Sequence, residues 1–176
     1  MRKLLLVALL AALLSAQALA AEPASNMKWE TTKLGPDKMT GKTSLAMTLT
    51  SDTVLDFGFP YGKVWTQLVL AQTFGEKRVS AGMMTKAQFN CNSECTVLVK
   101  FDDGAIQRYK AKGSTELGQM IHIKGDTKVF VENVKKSKHI IIQADFFKHP
   151  GQQLEFSAGE IGDKMLLGTP AVSKKQ

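Results

Sequence analysis

Cysteine, histidine and long apolar stretches are all scarce in this 176-residue chain, and each scarcity removes a class of function. There are two cysteines, Cys91 and Cys95. A tetrahedral zinc site built on them would need two further ligands, and no histidine lies within twenty residues. The three histidines, His122, His139 and His149, are isolated, with no pair at i and i+4 and no Gly-x-Ser-x-Gly elbow. A triad of His122 or His139 with Asp102 or Asp145 would have to be assembled by the fold, as would a pair of glycosidase carboxylates. "GPDKMTGKT", Gly35 to Thr43, has five residues where a phosphate loop has four. Arginine forms no cluster and no basic stretch is interleaved with aromatics, which disfavours nucleic acid as a partner. Beyond the N-terminus, no apolar run approaches the length that crosses a bilayer.

What is present begins with an export signal. Arg2 and Lys3 precede an unbroken Leu/Val/Ala run from Leu4 to Leu14, and Ala18-Leu19-Ala20 has the small residues a signal peptidase reads. The pattern predicts a signal peptide over 1–20, cleaved after Ala20. The expected location is the periplasm, with secretion as the alternative. The remaining 156 residues suit one domain with its own core. The formal charge of +7 falls by two when Arg2 and Lys3 leave. A mainly lysine surface of this kind is a soluble basic surface with an affinity for anionic envelope surfaces at most.

Residues 21–42 are polar and contain Pro23, Gly35, Pro36 and Gly41, which predicts an extended arm, with Trp29 placed to anchor it. From 43 to 165 the chain reads as a single β-rich domain, and 166–176 as a tail. Short Val-, Ile-, Thr- and Phe-rich segments predict strands at 44–50, 53–58, 64–73, 78–84, 95–101, 105–112, 119–124, 139–147 and 152–158. Turns are expected at Phe59-Pro60-Tyr61-Gly62 and His149-Pro150-Gly151-Gln152. One segment, Asp126 to Lys138, reads as a short helix over about 126–137. Asp126 is placed to cap it, Phe130 and Val134 share a face, and Glu132 can reach Lys136. The fold class is therefore mainly β: an antiparallel sheet, sandwich or partly open barrel with one helix packed on it.

Alternation also sets a hairpin register. A three-residue loop, Asp102-Asp103-Gly104, pairs Phe101 with Ala105 and Val97 with Tyr109, and puts Val97, Val99 and Phe101 on one face with Ala105, Tyr109 and Ala111. It places Gly104 in the left-handed position of a bulged type I turn. The two aspartates then belong to the turn and not to a metal or acid–base site. The opposite face carries Lys100, Arg108, Lys110 and Lys112, a basic row that is either solvated or a docking surface. Cys91 and Cys95 are three residues apart and are followed by a β-rich run, unlike the two-residue spacing of thioredoxin-type sites. In an exported chain this points to a disulfide that staples the start of a strand. Closing a loop of about five residues contributes roughly 2 kcal/mol. Short-loop disulfides can also be strained and exchangeable, so a redox role stays open.

"FPYG", then "AQFNCNSECTVLVKFDDG", then "YKA", and finally "IIIQADFF" with "QQLEFSAGEIG" make a combination that resembles a family of small exported proteobacterial proteins of unknown function. The resemblance runs from about Trp29 to Gly162 and implies a compartment and a layout. It brings no active site, and Lys100 stands where the family has arginine. Three functions fit. The first is a periplasmic binding or protein-interaction module without catalysis, of inhibitor, immunity or envelope-accessory type, whose partner is another exported or envelope protein. The second is a small apolar-ligand carrier with Phe57, Phe59 or Met83 lining a cavity. The third is a small hydrolase. Neither a cofactor nor a metal is expected.

Overall fold

A computed structural model describes residues 29–73, 76, 78–114, 118–159 and 161. The expected leader and its expected cleavage after Ala20, residues 21–28 of the expected arm and the expected tail over 166–176 lie outside the described residues. Among the described residues eleven strands and one helix follow one another: β1 (Glu30–Leu34), β2 (Ser44–Thr50), β3 (Leu55–Asp56), β4 (Lys63–Val64), β5 (Thr66–Thr73), β6 (Val79–Thr85), β7 (Glu94–Phe101), β8 (Gln107–Gly113), β9 (Met120–Lys124), α1 (Thr127–Lys136), β10 (His139–Phe146) and β11 (His149–Ser157). Nine of the strands form one antiparallel sheet in the order β1-β2-β5-β6-β9-β8-β7-β10-β11, and β3 and β4 make a separate small ribbon.

Strict alternation builds the interior face. Leu49, Leu68, Met83 and Ile121 stand opposite one another across four strands, and each is at most 1% exposed. Phe101, Ile140 and Phe156 form a second row, and Val99, Ile142 and Leu154 a third. The sheet curls so that the segment following β2 reaches the edge strand β11. The amide of Asp52, just past β2, donates to the carbonyl of Glu155 in β11. Glu155 N–H donates to the Thr53 hydroxyl, and Ser157 Oγ donates to the Asp52 carboxylate. These contacts tie an open barrel without closing it into a continuous ladder.

Side chains fill both ends. Phe89 is buried, bridges to Phe146 and stacks on it at 4.7 Å. At the other end Phe130 of α1 packs edge-on against Tyr109 at 5.1 Å and Phe101 at 5.9 Å. The helix therefore uses the face expected of it, burying Phe130, Val131 and Val134. Tyr109 keeps its hydroxyl satisfied by donating to Gln107 Oε1 and accepting from Asn133 Nδ2. Burial pushes that phenol above its usual range.

Several local expectations give way to other contacts. Residues 30–34 of the expected extended arm belong to the sheet, adding an edge strand to β2, while Trp29 packs against the core as an anchor should. The last hairpin turns at Phe147-Lys148, with Lys148 at φ 63, and not at His149–Gln152. Pro150 instead lies in β11, an edge strand where a missing N–H does no harm. Asp126 occupies the N-cap position but makes no side-chain cap bond. Thr127 Oγ1 donates back to the Ile123 carbonyl instead. Glu132 meets Lys135, one residue short of the expected Lys136, at 3.6 Å.

Candidate functional site: a basic face on strands β7 to β9

The cysteine pair is bonded, with Cα atoms 5.4 Å apart. Cys91 is buried at one end of the barrel, and Cys95 pairs with Ala111 of β8. The bond thus fastens the 89–93 loop over the interior and fixes where β7 begins. This is the stapling geometry that the spacing suggested.

The hairpin register is also the expected one, with Val97 opposite Tyr109 and Leu98 opposite Arg108, but the ladder ends at Val99–Gln107, so Ala105 is exposed and does not pair with Phe101. Its loop is built differently. The left-handed residue is Asp102, at φ 47, and not Gly104. Aspartate is one of the few side chains that tolerates this region, and here it gains from doing so. Asp102 N–H donates to the His139 carbonyl, and the carboxylate accepts from the amides of Lys138 and His139 at 2.9 Å each. The loop is therefore docked onto the junction between α1 and β10. The His139 amide is the largest influence holding the carboxyl below its usual range, with the Lys138 amide and His139 imidazole adding to it. Gly104 matters for space: its N–H bonds the Phe101 carbonyl, and an added Cβ would sit 3.0 Å from that oxygen.

This geometry separates two substitutions. Asp102→Asn keeps an acceptor oxygen and tolerance of positive φ, so it should cost under about 1 kcal/mol at neutral pH. Asp102→Ala loses both and should cost about 1–2 kcal/mol, the lower end reflecting competition from water at an exposed site. Because the folded carboxyl is depressed, its contribution is present above the unfolded value near 3.8 and fades as pH falls through the lower folded value. Urea midpoints at pH 7 and near pH 2 check this. The gap between wild type and Asp102→Ala should narrow in acid to the pH-independent cost of Ala at positive φ, and a constant gap would refute the carboxylate's role.

The candidate catalytic groups do not converge. His139 faces Glu155 at 3.5 Å, while Asp102 and Asp145 are engaged with backbone amides, Asp145 with that of Gly151 at 2.7 Å. His122 lies on the outer face of β9, where burial first and Lys124 second hold its imidazole below the usual range. Among the described residues no group of three His, Cys, Asp or Glu could hold a metal ion. The residues considered for a ligand cavity are placed otherwise. Phe59 is 99% exposed, Met83 is within the filled core, and Phe57 packs on Phe146 and His149.

What the fold does bring together is charge. Arg108, Lys110 and Lys112 project from the outer face of β8, exposed in line, and Lys100 lies half-buried on the same face of β7. The sheet adds a member that the hairpin alone did not reveal. Lys124 of β9 stands directly opposite Lys110, and His122 opposite Lys112. Alternation in Met120–Lys124 already places Lys124 outward, but its neighbour is known only once β9 is paired to β8. One acid, Glu94, stands opposite Lys112. The ion pairs among the described residues are Lys42–Glu76, Lys135–Glu132 and His139–Glu155, none of which involves this face. Facing lysines repel across a ladder, so the face gains by meeting an anion. Among the described residues no helix is long and apolar enough to cross a membrane. Comparison of the chain with family models, with curated proteins and with solved structures found no match.

Proposed function

We propose that this protein is a non-catalytic binding module of the periplasm, delivered there by its leader, that docks an acidic exported protein through the outer face of β7, β8 and β9. The observation that carries the reading is the Lys110–Lys124 pair, two cations opposed across a ladder and flanked by Arg108, Lys112 and Lys100. The rigid, disulfide-tied sheet supports it, because a preformed face loses little entropy on binding. The use of Asp102 and Asp145 on backbone amides supports a binding role over a hydrolytic one.

Charge-driven docking must weaken steeply with salt. The test replaces Arg108 and Lys110 with Ser and measures association with an immobilised Glu-rich peptide. At about 20 mM salt the variant should bind about five- to tenfold more weakly. At about 200 mM the gap should shrink toward twofold as the Debye length shortens. Identical behaviour of wild type and variant at both salts would reduce the row to a solvated face.

A further inference from the structure

Opposite in character to the basic face is one end of the barrel, where aromatic rings stand in water. Phe59 is 99% exposed, Trp65 50% and Phe147 48%. They belong to neighbouring loops held in register by buried contacts. The β3–β4 loop is closed by the Phe57 amide donating to the Gly62 carbonyl. Two residues before its tip, Phe57 packs on Phe146 and His149, which flank the Phe147-Lys148 turn. The Phe147 amide donates to the Gln88 carbonyl, and Thr85 Oγ1 donates to that of Trp65, so the 85–88 segment joins the same end. Three exposed lysines accompany the rings: Lys63, Lys86 and Lys148, the last lying 5.3 Å from the Phe147 ring centroid. The acids nearby, Asp56 and Asp145, accept bonds from the loop amides of Gly58 and Gly151.

We infer that this end of the barrel docks onto the surface of an anionic lipid bilayer, with Phe59 and Phe147 entering the interface and Lys63, Lys86 and Lys148 meeting the headgroups. A ring left 99% exposed has nothing built around it, and an apolar side chain held clear on a loop tip fits a deformable acceptor. Aromatic residues favour the headgroup region, and lysine stems lie along apolar surface while their ammonium groups reach anions. Protein hot spots favour Trp, Tyr and Arg packed in desolvated pockets. Here two of the three rings are Phe and the cations are all Lys. Membrane docking of this kind needs no spanning segment: apolar insertion and attraction to anionic lipid add together. The inference goes beyond the proposed function and uses different residues, since Arg108 and Lys110 are not at this end.

The test is sedimentation with sucrose-loaded vesicles of phosphatidylglycerol and phosphatidylethanolamine, and separately of phosphatidylcholine. The variants are Phe59→Ser with Phe147→Ser, Phe59→Trp with Phe147→Trp, and Arg108→Ser with Lys110→Ser. All are expressed as the full chain and recovered after export, so each shares its N-terminus with wild type. Wild type should partition onto the anionic vesicles and much less onto the neutral ones. Each Phe→Ser change should lower partitioning about tenfold, the Trp pair should restore it, and the basic-face pair should stay within about threefold of wild type. Failure of wild type to bind anionic vesicles overturns the inference, as does undiminished binding by the Ser pair. Loss in the basic-face variant alone also overturns it and assigns lipid attraction to that face. If wild type ignores vesicles and the Ser pair instead loses a protein partner, this end is a protein interface and the inference falls.

Discussion

Phe130→Ala is expected to lower the free energy of unfolding by about 3–5 kcal/mol, the cost of removing a fully buried aromatic ring from a packed interior. Phe130 is 0% exposed and meets Tyr109 and Phe101 through edge-on contacts. The ten-residue helix that carries it is too short to hold its own shape in water. Its stability comes from Phe130, Val131 and Val134 pressing into the curled sheet. Truncating the central ring leaves a void, and the Tyr109 phenol beside it loses the wall that positions it toward Asn133. Phe130→Leu should recover more than half of the loss by refilling the space. Val129→Ala, one residue earlier and 52% exposed, should change stability by no more than about 0.5 kcal/mol. Urea unfolding of the three variants gives the comparison, and equal costs at 129 and 130 would mean that the helix is not a structural plug.

Much of this arrangement is readable from residue order. Ile140, Ile142, Ala144 and Phe146 alternate cleanly because β10 has one face in the core, and the structure buries all four. The Val97–Tyr109 register follows from requiring both apolar sets on one side, and it is the register found. Where the reading failed, the determinant was remote or the element lacked a core face to pattern it. Thr31, Thr32 and Lys33 are exposed, so an edge strand there has no apolar alternation to announce it. Pro150-Gly151 reads as a turn locally, yet the Gly151 amide is taken by Asp145 and the chain reverses earlier, at a dipeptide with no glycine or proline. Asp102 reads as turn chemistry because its partners, Lys138 and His139, lie more than thirty residues away in sequence.

The basic face shows the same division. Lys100, Arg108, Lys110 and Lys112 are visible as a row once the hairpin is registered. Lys124 becomes part of it only through the pairing of β9 with β8. The aromatic end was less legible still. Phe59 looks like a core residue by type, and only the loop geometry holds it in solvent. A sequence predicts burial by pattern, and an isolated Phe beside proline and glycine carries no pattern.

Gly113→Ala should be among the most damaging single-methyl changes in the chain, at about 3 kcal/mol or more. The cause is space and not backbone freedom, since Gly113 is an ordinary strand residue of β8 without positive φ. It pairs with Ile121 at an inward position, and there the carbonyl of Cys91 occupies the volume that a Cβ would fill. Overpacking usually costs about 1–3 kcal/mol because neighbours give way. This neighbour is held on both sides. Cys91 is bonded to Cys95, which is paired to Ala111 only two residues from Gly113. On its other side Phe89 is stacked on Phe146 and donates its amide to the Gly118 carbonyl. By contrast Gly125→Ala, at φ 73 with open space around its Cβ, should cost only about 1 kcal/mol. A double-mutant cycle separates a held neighbour from a merely close one. In a Cys91→Ser, Cys95→Ser background the loop can retreat, so the added cost of Gly113→Ala should drop by about 1 kcal/mol or more. Strict additivity in urea unfolding would show that the disulfide does not hold Cys91 against Gly113, and that the loop is fixed by its other contacts, Phe89 and the Asn90 amide on the Asp145 carbonyl among them.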